Sequence, residues 1–136
     1  MIVVDTNVLV SLYLPTPVSA LADAVLQKDP TWIAPALWLS EMRNSIATLV
    51  RARRLDLDHG LAAVEAAEEL MAERSYAVPS TDVLRLAEKS GCTAYDCEFI
   101  ALAEAVDTRL VTLDKRLALK FPRIATPIER FARSKR

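Results

Sequence analysis

Glycine is almost missing from this chain: Gly60 and Gly91 are its only two. A G-x-G-x-x-G turn or a P-loop therefore cannot be present, and a glycine loop cradling a nucleotide phosphate is excluded. Cysteine is equally scarce. Cys92 and Cys97 match neither C-x-x-C nor a zinc-ligand spacing, and two thiols make no disulfide framework, so a reducing, cytoplasmic setting is expected. The lone histidine, His59, gives little support to a zinc site or to Ser-His-Asp or Cys-His chemistry. The opening Met1-Ile2-Val3-Val4-Asp5 has no cationic segment of the kind that starts a signal peptide. The longest uncharged stretch, Thr6 to Ala22, contains Pro15 and Pro17 and is too short for a membrane span. Repeats, low-complexity segments and internal linkers are absent as well.

What remains is an apolar chain of balanced charge. Its 136 residues suit one domain, residues 1–136, with a single sizeable core. A hydrophobic fraction of 52% and a mean hydropathy of +0.19 exclude a disordered chain. With a net charge of −1 the protein as a whole is no electrostatic partner for a polyanion. Contact with nucleic acid must come from local basic clusters or through bound cations.

Apolar runs and helical stripes alternate along the chain. Residues 2–4 read as a buried strand. Short helices follow at Val8–Tyr13 and Val18–Gln27, then a strand at Trp32–Ala34. A long helix runs over 36–53 with Leu39, Met42, Ile46, Leu49 and Val50 as its apolar stripe. Asp58 caps a helix reaching Arg74, and Tyr76–Val78 is a short strand. Ser80 caps a helix that stops at Gly91, and Thr93 caps the next, Ala94–Val106. A strand at Arg109–Leu113, a helix at Asp114–Lys120, an edge strand at Ile124–Thr126 and a helix from Pro127 complete the order. Strands separated by helices imply crossovers and hence an α/β fold with a mostly parallel sheet covered on both faces.

Four carboxylates stand out on this frame: Asp5, Glu41, Asp96 and Asp114. Asp5 and Asp114 end their strands, where a parallel sheet offers its crevice. Asp96 lies in the first turn of its helix, in line with Ile100 and Ala103, and so points inward. Glu41 is early in the long helix and leans back toward the same sheet end, with Asn44 and Ser45 forming a polar seam beside it. Each acid alone has an ordinary explanation. Asp5 and Asp114 could simply cap helices, Asp96 could close a capping box with Thr93, and Glu41 could be a solvated helix residue. Together they converge on one edge, where like charges repel and a divalent cation is the usual remedy. Oxygen-only donors select Mg2+ or Mn2+.

Four segments in order resemble the PIN-domain family, and in particular the VapC-type ribonuclease toxins. These are Ile2-Val3-Val4-Asp5-Thr6-Asn7-Val8-Leu9, Leu39-Ser40-Glu41, Thr93-Ala94-Tyr95-Asp96-Cys97-Glu98-Phe99-Ile100-Ala101-Leu102-Ala103, and Leu110-Val111-Thr112-Leu113-Asp114-Lys115-Arg116-Leu117. No one segment is decisive, but the set spans the whole chain. The resemblance implies a PIN-like three-layer α/β/α sandwich and a Mg2+-dependent endoribonuclease, with Mn2+ able to substitute. It implies Asp5 and Asp96 as the main metal ligands and Glu41 and Asp114 as the remaining acids. Thr112 resembles a supporting hydroxyl and Asn7 a supporting polar group. It further implies a homodimer, and a VapB-type antitoxin that wraps the toxin in a larger toxin–antitoxin assembly.

RNA contacts are expected at Lys115 and Arg116 beside the acids. Further basic clusters are Arg51-Ala52-Arg53-Arg54 and the tail Arg130, Arg133, Lys135 and Arg136, which suit helix C-termini equally well. Trp32, Trp38, Tyr13 and Leu14 are candidates for apolar partner surface, or for ordinary core. Two rivals stand beside the nuclease reading: an inactive PIN-like module binding RNA or protein, and a haloacid-dehalogenase-type phosphotransfer domain. The latter needs an Asp where Asn7 stands. A receiver domain fits less, since its clustered acids, mid-chain Asp and late Lys are missing.

Overall fold

In the computed structural model, which describes residues 1–135, the apolar runs are short strands lying side by side. The chain order is β1 (Ile2–Val4), α1 (Thr6–Tyr13), α2 (Ser19–Lys28), β2 (Trp32–Pro35), α3 (Leu37–Arg51), α4 (Leu57–Leu70), β3 (Ser75–Tyr76), α5 (Ser80–Ser90), α6 (Ala94–Ala105), β4 (Leu110–Thr112), α7 (Lys115–Lys120), β5 (Ala125–Pro127) and α8 (Ile128–Arg133). The strands form one sheet of order β3-β2-β1-β4-β5, and every pairing is parallel. The expectation of a mostly parallel sheet is met in full. No helix among the described residues is long and apolar enough to cross a membrane.

That order fixes where a cleft can form. The chain moves outward from β1 to β2 and β3, then jumps back across to β4 and β5. Right-handed crossovers then place α1–α4 on one face of the sheet and α5–α7 on the other. The packing agrees: α6 lies on β1, β2 and β4 with α5 against it, while α1 packs on α2, α3 and α4. The strand order reverses between β1 and β4, which is the switch point where a parallel sheet opens at its carboxyl edge. Register aligns that edge, with Val4 opposite Val111 and Thr112 opposite Pro127.

The core follows from this sandwich. Ile2, Val3, Val4, Ile33, Leu110 and Val111 are buried in the sheet, and α6 buries Cys97 and every residue from Phe99 to Ala103 because it lies between sheet and α5. The tryptophans belong here too. Trp32 is 0% exposed and Trp38 3%, with the Trp38 indole N–H donating to Ser75 Oγ at 2.6 Å and tying α3 to β3. Leu14 is buried and Tyr13 only half-exposed. The candidate partner surface at Trp32, Trp38 and Leu14 is therefore core, because two-face coverage of the sheet needs their bulk.

Several helix starts shift for local reasons. Asp56, not Asp58, caps α4: Arg53 turns the chain at φ 58°, and Asp56 is the extended residue whose carboxylate accepts from the Asp58 N–H at 3.1 Å. His59 pairs with that same Asp56 on the open surface. The helix also ends at Leu70, short of Arg74. Pro79 occupies the cap of α5, so Ser80 is already its first helical residue. Gly91 does end α5 in the left-handed region, at φ 74°, and Thr93 does cap α6, its hydroxyl accepting from the Asp96 N–H at 3.0 Å.

Gly60 is where α3 and α4 touch. A Cβ there would stand 2.6 Å from Ile46 Cγ2, on a β-branched side chain with little freedom to move. Gly60→Ala gains helix propensity of about 1 kcal/mol but overpacks the contact by about 1–3 kcal/mol. A net loss is expected, seen as a lower Tm in thermal denaturation despite the usually favourable exchange.

Candidate active site

All four acids line one cleft of about 240 Å³ at the carboxyl edge of β1 and β4. Each arrives by its own route. Asp5 follows the last residue of β1 and caps α1: its Oδ1 accepts from the Val8 N–H at 3.1 Å. Its Oδ2 accepts from the Leu113 N–H at 3.1 Å and from the Thr112 hydroxyl. Asp114 follows β4 and caps α7, with Oδ1 accepting from the N–H groups of Arg116 (2.9 Å) and Leu117 (3.1 Å). The capping explanation and the cleft explanation are thus both true of these two residues. Asp96 reaches the cleft from the first turn of α6, and Glu41 from α3, with Asn44 and Ser45 beside it as the polar seam. Phe99 and Leu117 supply apolar wall.

Thr112 is 1% exposed and sits at the centre of the arrangement. Its hydroxyl donates to Asp5 Oδ2 and accepts from the Asp114 N–H at 2.9 Å, joining the two strand-end acids. Thr6 plays a matching part that sequence reasoning missed. Buried in the first turn of α1, it donates from Oγ1 to Glu41 Oε1 at 2.6 Å. The signal was a hydroxyl beside Asp5, but its partner lies 35 residues away and no spacing rule pairs them. Asn7 lines the cleft from an exposed position.

The electrostatics are those of crowded carboxylates. Burial pushes the Asp5 carboxyl up from 3.8 to about 6; hydrogen bonds from Thr112, Val8 and Leu113 hold it down, and the charge of Asp114 adds to the rise. Burial also raises Asp96; Thr93 opposes this, Asp114 reinforces it, and Arg116 lowers it again. Arg116 is therefore a cation near the acids, as expected. Lys115 and Arg116 are both exposed on the first turn of α7, and neither lines the cleft. A fifth acid lies close by: burial and the charge of Glu41 raise Glu98, which stands on the far side of α6 from Asp96 and does not line the cleft.

The other basic clusters do not join the cleft. Arg51 lies ten residues beyond Glu41 on α3, about 15 Å along the axis. The tail runs to the opposite edge of the sheet, where Arg130 and Ser134 border a larger cavity of about 750 Å³ with Met1, Lys28 and Arg109. That cavity is wider than the acid cleft, yet two of its three cationic side chains are engaged. Lys28 donates to the Phe131 and Ser134 carbonyls at 2.7 and 2.6 Å, and Arg109 donates to Thr126 Oγ1 at 2.6 Å. Lys28 fastens the end of α8, and Arg109 fastens β5. The reason is topological: β5 delivers the chain to the carboxyl edge and α8 must run back. Arg136 lies outside the described residues.

Among the described residues no three acidic, histidine or cysteine side chains stand close enough to hold one ion together. The donor set suits an ion that takes few protein ligands and keeps its water. Asp5 uses both oxygens within the protein, whereas Glu41 and Asp114 each engage only one. A hard cation bound through one or two carboxylates, with waters bridging to the others, fits that arrangement.

A parallel sheet of this order with four acids at its switch point defines the class, and the chain belongs to the PIN domain family, whose model matches residues 2–125. Within that family it is similar to Ribonuclease VapC3 of Pyrobaculum aerophilum, 33% identical over 129 residues that cover 93% of this chain and 98% of the relative. Its fold is that of two crystal structures. PAE2754 from Pyrobaculum aerophilum matches with a TM-score of 0.75 at 23% identity, over 96% of this chain and 92% of that one. FitAcB from Neisseria gonorrhoeae matches with 0.71 at 20% identity, over 95% and 99%.

Proposed function

We propose that this chain, acting as one domain, is a Mg2+-dependent endoribonuclease of the VapC type, with Mn2+ able to substitute. The single observation that carries the reading is the convergence of Asp5, Glu41, Asp96 and Asp114 on one cleft at the β1–β4 switch point. The identity to a ribonuclease over nearly the whole chain supports the same reaction. Asp5 and Asp96 would hold the cation, with Glu41 and Asp114 available to its waters or as further ligands. A bound divalent cation supplies charge neutralisation at the scissile phosphate and acidifies a water for attack on phosphorus. The protein's own part is positioning. Thr112 and the Leu113 N–H orient Asp5, Thr6 orients Glu41, and Asn7, Asn44 and Ser45 offer polar contacts to a phosphodiester lying in the cleft. Arg116, and Lys115 beside it, balance the charge of the incoming backbone.

The expected biology is that of a toxin in the cytoplasm, homodimeric and held inactive by a VapB-type antitoxin. Exposed Leu57 and Leu61, one turn apart on α4, and Leu119 on α7 offer apolar surface to such partners in place of the buried tryptophans. An inactive binding module would have no need of four converging acids. A haloacid-dehalogenase-type reaction lacks its second Asp, since Asn7 stands there.

The test is cleavage of single-stranded RNA by the purified chain with Mg2+, with chelator, and across pH. Folding raises the Asp5 pKa from 3.8 to about 6, so the folded protein holds a proton that the unfolded chain releases. That stabilising contribution is complete below pH 4 and is lost as pH rises through 6. Cation binding needs the ionised form, so the gain in Tm on adding Mg2+ should be greater at pH 7.5 than at pH 5.0, where apparent affinity is about tenfold weaker. Cleavage that survives exhaustive chelation would remove the metal from the mechanism.

A further inference from the structure

Beside the acid cleft, on the other side of α6, lies a second hollow of about 440 Å³ that the catalytic reading does not use. Its walls are Ala36, Tyr76, Val78, Leu84 and Ala94, and its one charged group is Glu98. The Glu98 carboxylate accepts no hydrogen bond from the protein among the described residues. It stands near enough to Glu41 for the two charges to act on each other. Ala94 and Glu98 line this groove while Asp96, between them in sequence, lines the acid cleft. Helical spacing puts Tyr95 on the ridge separating the two hollows. Tyr95 is 62% exposed and Tyr76 42%, so two of the chain's three tyrosines stand open around this one feature.

A largely apolar slot with exposed aromatic rings beside it, one carboxylate and the Ser80 hydroxyl has the chemistry of a base-binding site. Unstacked bases of single-stranded RNA lie on aromatic side chains, and a carboxylate takes its hydrogen bond from the exocyclic amine of a base such as cytosine. Any strand lying across Asp5, Asp96 and Asp114 passes over the first turn of α6, so the base next to the reacting phosphate falls beside Tyr95. We infer that this groove receives a nucleobase flanking the scissile bond, that Tyr95 stacks on it, and that Glu98 selects bases bearing an amine. The inference rests on the ribonuclease reading above and adds to it a specificity site.

The experiment uses the full chain with Mg2+ and short single-stranded RNAs. Once a cleaved bond has been mapped, matched oligonucleotides carry cytosine, uracil or an abasic residue on either side of it. Cytosine and uracil share size and stacking surface and differ at the amine. At one flank, wild type is expected to cut the cytosine substrate about tenfold faster in kcat/KM than the uracil one. Glu98→Leu is expected to cut both at the uracil rate, and Glu98→Gln, whose carbonyl still accepts, to keep part of the preference. Tyr95→Ala, a change at an exposed position that tests the groove whether or not Glu98→Leu folds, should lose the wild-type penalty for the abasic substrate. A wild-type enzyme indifferent to the flanking base, or variants that keep its preferences unchanged, would overturn the groove while leaving the ribonuclease intact. Unchanged preferences with lost antitoxin binding would reassign the groove to a protein and overturn it too. Failure of wild type to cut any RNA would remove both readings.

Discussion

Asp96→Asn is expected to lower RNA cleavage by on the order of a thousandfold, the scale seen when one preorganised charge-stabilising group is removed from an active site. The protein should remain folded. Asp96 is braced only at its own helix start by Thr93, and its carboxyl is already pushed upward by burial and by Asp114. A neutral amide of the same shape relieves that repulsion, so Tm at pH 7.5 should hold or rise. The stabilising effect of added Mg2+ should shrink at the same time. Loss of cleavage without loss of Tm separates chemistry from folding, which Asp5→Asn does less cleanly. At Asp5 an amide nitrogen would face the Thr112 hydroxyl and the Leu113 N–H, both of which now donate to Oδ2. Wild-type cleavage by purified Asp96→Asn with Mg2+ present would sink the assignment of the site.

The second large effect is expected at Thr112. Thr112→Val keeps the shape of a side chain that is 1% exposed but removes its hydroxyl. Asp5 Oδ2 then keeps only the Leu113 N–H, and the Asp114 N–H loses its acceptor. An orphaned buried group costs about 1–3 kcal/mol, so Tm should fall by several degrees. Cleavage should fall about 10- to 100-fold, as when the partner of a metal ligand is lost. The direction with pH follows from the hydrogen bond. The Thr112 contact holds the Asp5 pKa down, so without it the pKa climbs above about 6 and the acid limb of the rate profile moves to higher pH. Thr112→Ser, which restores donor and acceptor, should return both rate and profile. A purely structural Thr112 would lower Tm without moving that limb.

The sheet and the four acids were legible because their signals are local. A buried strand is a short apolar run, and an acid at its end is one residue further on. Helix caps were less secure where two candidates sat close together. Asp56 and Asp58 differ only in which residue leaves the turn at Arg53 extended, and Pro79 pre-empts Ser80 because proline is already fixed in a pre-helical conformation. What the sequence left open was always a matter of long-range pairing. The burial of Trp38 depends on Ser75, the end of α8 is held by Lys28 and β5 by Arg109, and the Thr6–Glu41 contact spans 35 positions. Glu98 was hidden for a related reason. Its interest comes from a groove shared by β3, α5 and α6, and no pattern within one helix announces it.

The bond between Asp5 and Thr112 joins residues 107 positions apart. A chain emerging from the ribosome displays Asp5 first, then Glu41 and Asp96, long before β4 exists to close the cleft. Until Thr112 and Asp114 follow, the nascent protein carries three of its acids on an unfinished sheet. A chain made in this order completes its cleft only when β4 joins the sheet, so the last strand to pair beside β1 is also the one that finishes the site.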